Sequence, residues 1–294
     1  MLSVVMSVYN GEDFLNQSID SVLSQSYDNF EFIIVNDGST DSSLEIISKY
    51  KDRRIRVINK VNSGLIDSLN LGIRSAVSDW IVRMDADDIC FPNRFELLSK
   101  GLKENVALIV SDVEFIYNND GGVNQKRKYY KSYLNKTALL NDLTKMKSRI
   151  IHPSVVISRK HFEKVGGYYS HFKGCEDFDL FFRLAKSGDV VFINKACLYY
   201  RIHENSVSRN FRLSKEMFLN HLLSYYCNQG SYDIDYNKKR FDLEIENRLL
   251  IWSHIKWMTL RSNKQSVCNF IFLVLLRILR EVLIFRFITV NKRV

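Results

Sequence analysis

The chain has 294 residues, 46% of them hydrophobic and 26% charged. That balance argues against a disordered chain and supplies apolar material for one large domain or two small ones. The net charge of +9 is concentrated: residues 206–294 carry 15 Lys and Arg against 7 Asp and Glu, and residues 1–205 carry 27 against 26, so the basic C-terminal part predicts an anionic partner, either lipid headgroups or nucleic acid.

Leu2 to Val8 is a short apolar run, predicted as a buried strand. It follows Met1 with no basic region or cleavage site, which predicts a cytoplasmic protein. Leu15, Ile19, Val22 and Leu23 then recur at helical spacing. Phe30 to Val35 predicts a second strand, Leu44 and Ile47 a helix, and Arg56 to Ile58 a third strand. Leu65, Leu69 and Ile73 form another helical face, and Trp80 to Met84 a strand ending at Asp85. Pro92 opens a helix, and Ala107 to Val110 is a further strand. Residues 118–149 are polar and Lys-rich and predict a mobile insertion with a hairpin and a helix. Strand character resumes at Ser154 to Ile157, Phe178 to Leu184 is helical, and Leu198 to Ile202 is a strand. Beyond Ser208 the pattern is helical throughout. Cys90, Cys175, Cys197, Cys227 and Cys268 are scattered without a CxxC pair, which argues against a disulfide framework or a zinc site and fits a reducing compartment.

Strands alternating with helices predict βαβ units and a mostly parallel, Rossmann-like sheet, whose ligands bind beyond the carboxyl ends of the strands. The informative polar residues fall there: Tyr9-Asn10, Asp37, and Asp85-Ala86-Asp87-Asp88. Two carboxylates two residues apart at a strand end can face one site and hold Mg²⁺ or Mn²⁺, although so short a motif also occurs as a solvated acidic turn. Asp37 can accept from a base N–H or a ribose hydroxyl, or can serve its own turn; Asp41, after Gly38-Ser39-Thr40, reads as a helix N-cap. Glu176-Asp177-Phe178-Asp179 opens a helix, where carboxylates meet the dipole and free N–H groups, or supply a general base for a hydroxyl.

Taken in order, Ser7-Val8-Tyr9-Asn10, Val35-Asn36-Asp37-Gly38-Ser39-Thr40-Asp41, Asn70-Leu71-Gly72-Ile73, Met84-Asp85-Ala86-Asp87-Asp88, His152-Pro153-Ser154, Val165-Gly166-Gly167-Tyr168, Glu176-Asp177-Phe178-Asp179-Leu180 and Tyr200-Arg201-Ile202-His203 resemble the inverting glycosyltransferases of family 2, across residues 2 to about 208. The resemblance implies an α/β chain of the GT-A fold, with residues 1–115 as the nucleotide-sugar-binding half, 116–208 as the acceptor-binding half, and 209–294 as a helical C-terminal extension. It implies Tyr9 stacking on the donor base and Asp37 hydrogen bonding to it. Asp85 would contact the ribose or the metal, Asp87 the metal, and His203 the metal or diphosphate, with Asp177 as catalytic base. The cofactor implied is Mn²⁺ or Mg²⁺, and the donor a nucleotide-diphosphate sugar, UDP-linked as a base rate. The acceptor would be a glycan or lipid-linked hydroxyl, met in the building of a surface polysaccharide or glycolipid. Ser7 stands where the family usually has Pro.

Two other readings make different demands on the sequence. A sugar nucleotidyltransferase needs a Gly-rich basic N-terminal loop, whereas Asn10-Gly11-Glu12-Asp13 is acidic. A nucleic-acid-binding protein would account for the basic tail, but its charges are interleaved with apolar runs such as Phe270 to Leu276, so no nucleic-acid partner is expected. A membrane span needs about 20 apolar residues with few charges. Arg277, Arg280, Glu281 and Arg286 interrupt residues 265–290, which therefore predict an interfacial helix on the inner face of the cell membrane, or an apolar face packed on its own domain or in a homodimer.

Overall fold

The structure, a computed structural model, describes residues 1–117, 128–143 and 147–203. The tail beyond residue 203, with the region expected to be helical and interfacial, lies outside the described residues. In chain order the elements are β1 (Leu2–Val8), α1 (Glu12–Leu23), β2 (Phe30–Asp37), α2 (Ser43–Lys49), β3 (Ile55–Lys60), α3 (Leu65–Arg74), β4 (Trp80–Asp85), β5 (Ile89–Cys90), α4 (Arg94–Ser99) and β6 (Val106–Tyr117). They continue with β7 (Lys128–Tyr130), α5 (Lys136–Leu143), β8 (Val155–Ser158), α6 (Arg159–Lys164), α7 (Glu176–Ser187) and β9 (Asp189–Ile202).

Among the described residues the strands form one sheet in the order β3-β2-β1-β4-β8-β6-β9-β5, with β7 paired to β6. β3, β2, β1 and β4 run parallel, the Rossmann-like half that the alternation of strands and helices predicts. β8 enters antiparallel between β4 and β6, while β6 and β9 pair in parallel.

Both faces of this sheet are covered, which is why β1 and β2 read as unbroken apolar runs rather than as alternations. Val5, Ile33 and Val35 point into one core with Leu69 and Ile73 of α3 and Phe178, Phe181 and Phe182 of α7. The intervening Val4, Met6, Phe32 and Ile34 point into a second core with Leu15, Ile19 and Val22 of α1, Ile46 and Ile47 of α2, and Phe95 of α4.

Three local differences from the sequence reading have physical causes. β5 spans 2 residues and α6 spans 6, too short for a hydrophobic period to register. β9 begins at Asp189, well before Leu198, because its first half carries exposed and half-buried side chains along β6. Asp41 is one residue before the N-cap of α2, which is Ser42. From there it still caps, and across two helices: its Oδ1 accepts from Ser43 N at 3.0 Å and its Oδ2 from Glu12 N at 3.1 Å.

Gly72 shows how closely α3 lies on the sheet. A Cβ there would come 2.5 Å from Val5 Cγ1 and 3.2 Å from Val35 Cγ2. In an open helix Gly→Ala gains about 1 kcal/mol of propensity, but overpacking a core costs roughly 1–3 kcal/mol. The two valines stand on adjacent central strands that cannot retreat, so overpacking wins. Gly72→Ala is expected to lower stability, read as a lower urea midpoint with an unchanged slope.

Candidate active site

The parallel register gathers the strand tips. Ser7 lies opposite Asp85, Val8 opposite Asn36, and Asp37 opposite Lys60. Tyr9, Asp37 and Asp85 therefore share the carboxyl edge of three adjacent strands. Tyr9 is 53% exposed there. It is followed by Asn10 at φ 50°, among the described residues the one non-glycine with positive φ. Such a conformation persists only when its surroundings hold it. Here Asn10 Oδ1 accepts from Thr40 N at 2.8 Å, and Asn10 N donates to Ser39 Oγ at 3.1 Å.

Asp37 is 2% exposed. Lys60 Nζ bonds its Oδ1, which also accepts from Ser63 N at 2.9 Å, and its Oδ2 accepts from Gly64 N at 2.9 Å. Burial by itself would raise its pKa, but the Lys60 ammonium and the two amides outweigh burial and hold the carboxyl below its usual range. Asp37 is thus an ionised anchor for the loop that follows β3, with both oxygens engaged.

Asp85, Asp87 and Asp88 form the acidic cluster, each offering an oxygen within 4.8 Å of the others. Asp85 is paired with the buried Arg83. Burial first, and then the charge of Asp87, raise its pKa against the pull of Arg83. Asp87 Oδ2 lies 3.1 Å from His203 Nε2, which brings the imidazole to the carboxylates from 116 residues along the chain. Asp88 is fully buried; its Oδ1 accepts from Arg201 N at 2.9 Å, and its Oδ2 has no hydrogen-bond partner among the described residues. An orphaned buried carboxylate oxygen beside two more carboxylates and an imidazole suits a hard divalent cation, so the donor set fits Mg²⁺ or Mn²⁺.

Behind this cluster a buried polar chain leads to α7. Arg83 Nη2 lies 3.4 Å from His152 Nδ1, and His152 Nε2 lies 2.7 Å from Tyr168 Oη. Burial first, and then the Arg83 charge, push the His152 pKa well below its usual value, so the imidazole is neutral. Asn70 fixes the Tyr168 backbone from both sides, donating to its O at 2.9 Å and accepting from its N at 3.0 Å. Burial first, and then the charges of Asp177, Glu176 and Asp85 against the pull of Arg83, raise the Tyr168 pKa, and the His152 ring lies 5.9 Å from that of Phe181 on α7. Glu176 Oε2 accepts from Gly174 N at 2.6 Å. Burial, and next the Asp177 charge, push its carboxyl up to about 7. Asp177 Oδ1 accepts from Phe178 N at 2.7 Å.

The strand-tip residues, the acidic cluster and His203 thus lie at one sheet edge, and the buried chain of Arg83, His152 and Tyr168 runs from it towards α7, which opens with Glu176 and Asp177. Arg83, Asp88, Arg201 and Tyr168 are the members to which sequence reasoning assigned no role. Arg83 did carry a signal: a charge inside Ile-Val-Arg-Met of a strand buried on both faces must be paired. No helix among the described residues is long and apolar enough to cross a membrane.

Residues 3–166 match the family described as Glycosyl transferase family 2. An uncharacterized glycosyltransferase of Haemophilus influenzae is 30% identical over 248 residues, covering 80% of this chain and 76% of that protein. One from Rickettsia felis is 29% identical over 71% of this chain, which spans only 35% of that longer protein. Among solved structures, S. aureus TarS 1-349 in complex with UDP superposes with a TM-score of 0.62 at 18% identity, covering 90% of this chain and 76% of the TarS 1-349 chain. The same protein in complex with UDP-GlcNAc gives 0.63 at 18% identity, over 80% and 68%.

Proposed function

The chain belongs to glycosyl transferase family 2, and from that premise we propose that it moves a sugar from a nucleotide diphosphate, UDP above all, to a hydroxyl of a glycan or lipid-linked acceptor, with inversion. The observation that carries the reading is the meeting of Asp85, Asp87, Asp88 and His203 at the carboxyl edge that also holds Tyr9 and Asp37. The UDP and UDP-GlcNAc held by TarS support the choice of donor. In this reading residues 1–115 bind the donor and 116–208 the acceptor, and the basic region through 265–290 meets the inner membrane face.

Tyr9 stacks on the base, and Asp37, through the loop it anchors, fixes the base edge. Asp85, Asp87 and His203 would hold Mn²⁺ or Mg²⁺, which would supply charge neutralisation for the leaving diphosphate. Asp177 takes the proton from the acceptor hydroxyl, and that oxygen attacks the anomeric carbon from the face opposite the leaving group. One displacement inverts the centre, so an α-linked donor gives a β-linkage.

The test is a panel of nucleotide sugars, assayed for slow hydrolysis by the full chain with and without EDTA. One donor should be cleaved, in a metal-dependent way; cleavage of none, or cleavage indifferent to EDTA, overturns the reading. Asp37→Ala is expected to raise donor KM more than it lowers kcat. In this reading Asp37 acts on the base, away from the bond that breaks, so its effect should be alike in ground and transition states. Steady-state kinetics checks this, and a pure kcat effect contradicts it.

A further inference from the structure

Helix α1 meets the acidic loop with a polar stripe, not an apolar one. Ser18 Oγ lies 2.8 Å from Ala86 O and 2.6 Å from Asp88 O, one hydroxyl proton serving both. Ser21 Oγ accepts from Cys90 N at 3.0 Å. Gln25 donates to Phe91 O at 2.7 Å and accepts from Phe95 N at 3.0 Å. Ser18 and Ser21 share one face of α1, and Gln25 follows just beyond its C-cap Ser24, so the main chain from Ala86 to Phe95 is held to α1 and to the residue that follows its end.

Arg201 completes this frame from β9. It is 5% exposed. Its Nε donates to Asp87 O at 2.7 Å and its Nη2 to Gln17 Oε1 at 2.7 Å, while its backbone N holds Asp88. The guanidinium carbon sits 4.5 Å from the Phe14 ring centre, and that ring is 4.8 Å from the His203 ring, whose Nε2 reaches Asp87. One planar fork therefore touches the acidic loop and α1 directly, and the imidazole through Phe14. A lysine ammonium on a flexible stem cannot span these partners. As a charge, Arg201 repels a cation; any help it gives to cation binding must come from geometry.

We propose that Arg201 is a positioning residue for the divalent-cation site, which holds Asp87 and His203 at ligand spacing before the cation arrives. This rests on the reading of Asp87 and His203 as ligands. Arg201→Lys separates geometry from charge, since it keeps the charge and loses the fork. Mn²⁺ binding to the nucleotide-free full chain is read from the electron paramagnetic resonance signal of free Mn²⁺, alongside unfolding temperature without metal. Loss of a group that orients a ligand typically weakens metal binding roughly 10–100-fold, and that is the expected result for Arg201→Lys. Gln17→Ala, an exposed substitution that leaves Arg201 charged but removes the Nη2 contact to α1, should weaken binding in the same direction and guards against a misfolded Lys variant. Parent-like Mn²⁺ affinity in either folded variant overturns the positioning role alone. A parent that binds no Mn²⁺ overturns the ligand reading and this role with it.

Discussion

Asp87→Ala is expected to reduce sugar transfer to background and to remove the part of nucleotide binding that depends on Mn²⁺ or Mg²⁺. A metal ion stabilises transition-state charge by several kcal/mol, and its loss converts to roughly 10²–10⁴-fold in rate. The fold should survive the change. The Asp87 side chain is 34% exposed and bonds His203, whereas it is the Asp87 carbonyl that anchors Arg201. Truncation therefore removes a ligand and leaves the frame. The measurement is turnover with the donor identified by the panel, together with nucleotide calorimetry in the presence and absence of EDTA. Full activity in the variant, or a parent indifferent to EDTA, would show that Asp87 holds no metal.

Asp177→Asn should leave donor binding nearly intact while kcat falls roughly 10²–10⁴-fold, the usual range for a general base. The amide oxygen can still accept from Phe178 N, the bond that Asp177 makes at 2.7 Å, so the start of α7 should keep its shape. What is lost is the capacity to take a proton. Glu176→Gln is the necessary companion, because Glu176 is the carboxyl that burial and the Asp177 charge push up to about 7. It is expected to cost less than Asp177→Asn, its Oε2 being committed to Gly174 N. A larger cost for Glu176→Gln would transfer the base role to Glu176. In Asp177→Asn the neighbouring negative charge is gone, so the Glu176 carboxyl falls from its raised value, and residual turnover that needs Glu176 ionised should persist to lower pH than in the parent.

The parallel half of the sheet was legible because its signals are local. The apolar runs at Leu2 to Val8 and Phe30 to Val35, and the helical period of Leu65, Leu69 and Ile73, are set by side-chain burial within each segment. From these follow the strand tips, and with them Tyr9, Asp37 and Asp85 on one edge. The acidic cluster was legible as a motif, since its members are at most three residues apart.

What the sequence by itself determined is this set of elements and the chemistry at their ends. Only the tertiary structure decided which distant segments meet. The antiparallel entry of β8 beside β4 brings His152 to Arg83 across 69 residues, and the pairing of β9 with β5 and β6 brings Arg201 and His203 to Asp88 and Asp87 across 113 and 116. The register of β2 on β3 likewise decided that Asp37 spends both oxygens on Lys60, Ser63 and Gly64. No local period encodes such pairings. They are fixed by the burial of whole sheet faces and by the need of each buried charge for a partner, and both conditions are met only when the chain has closed on itself.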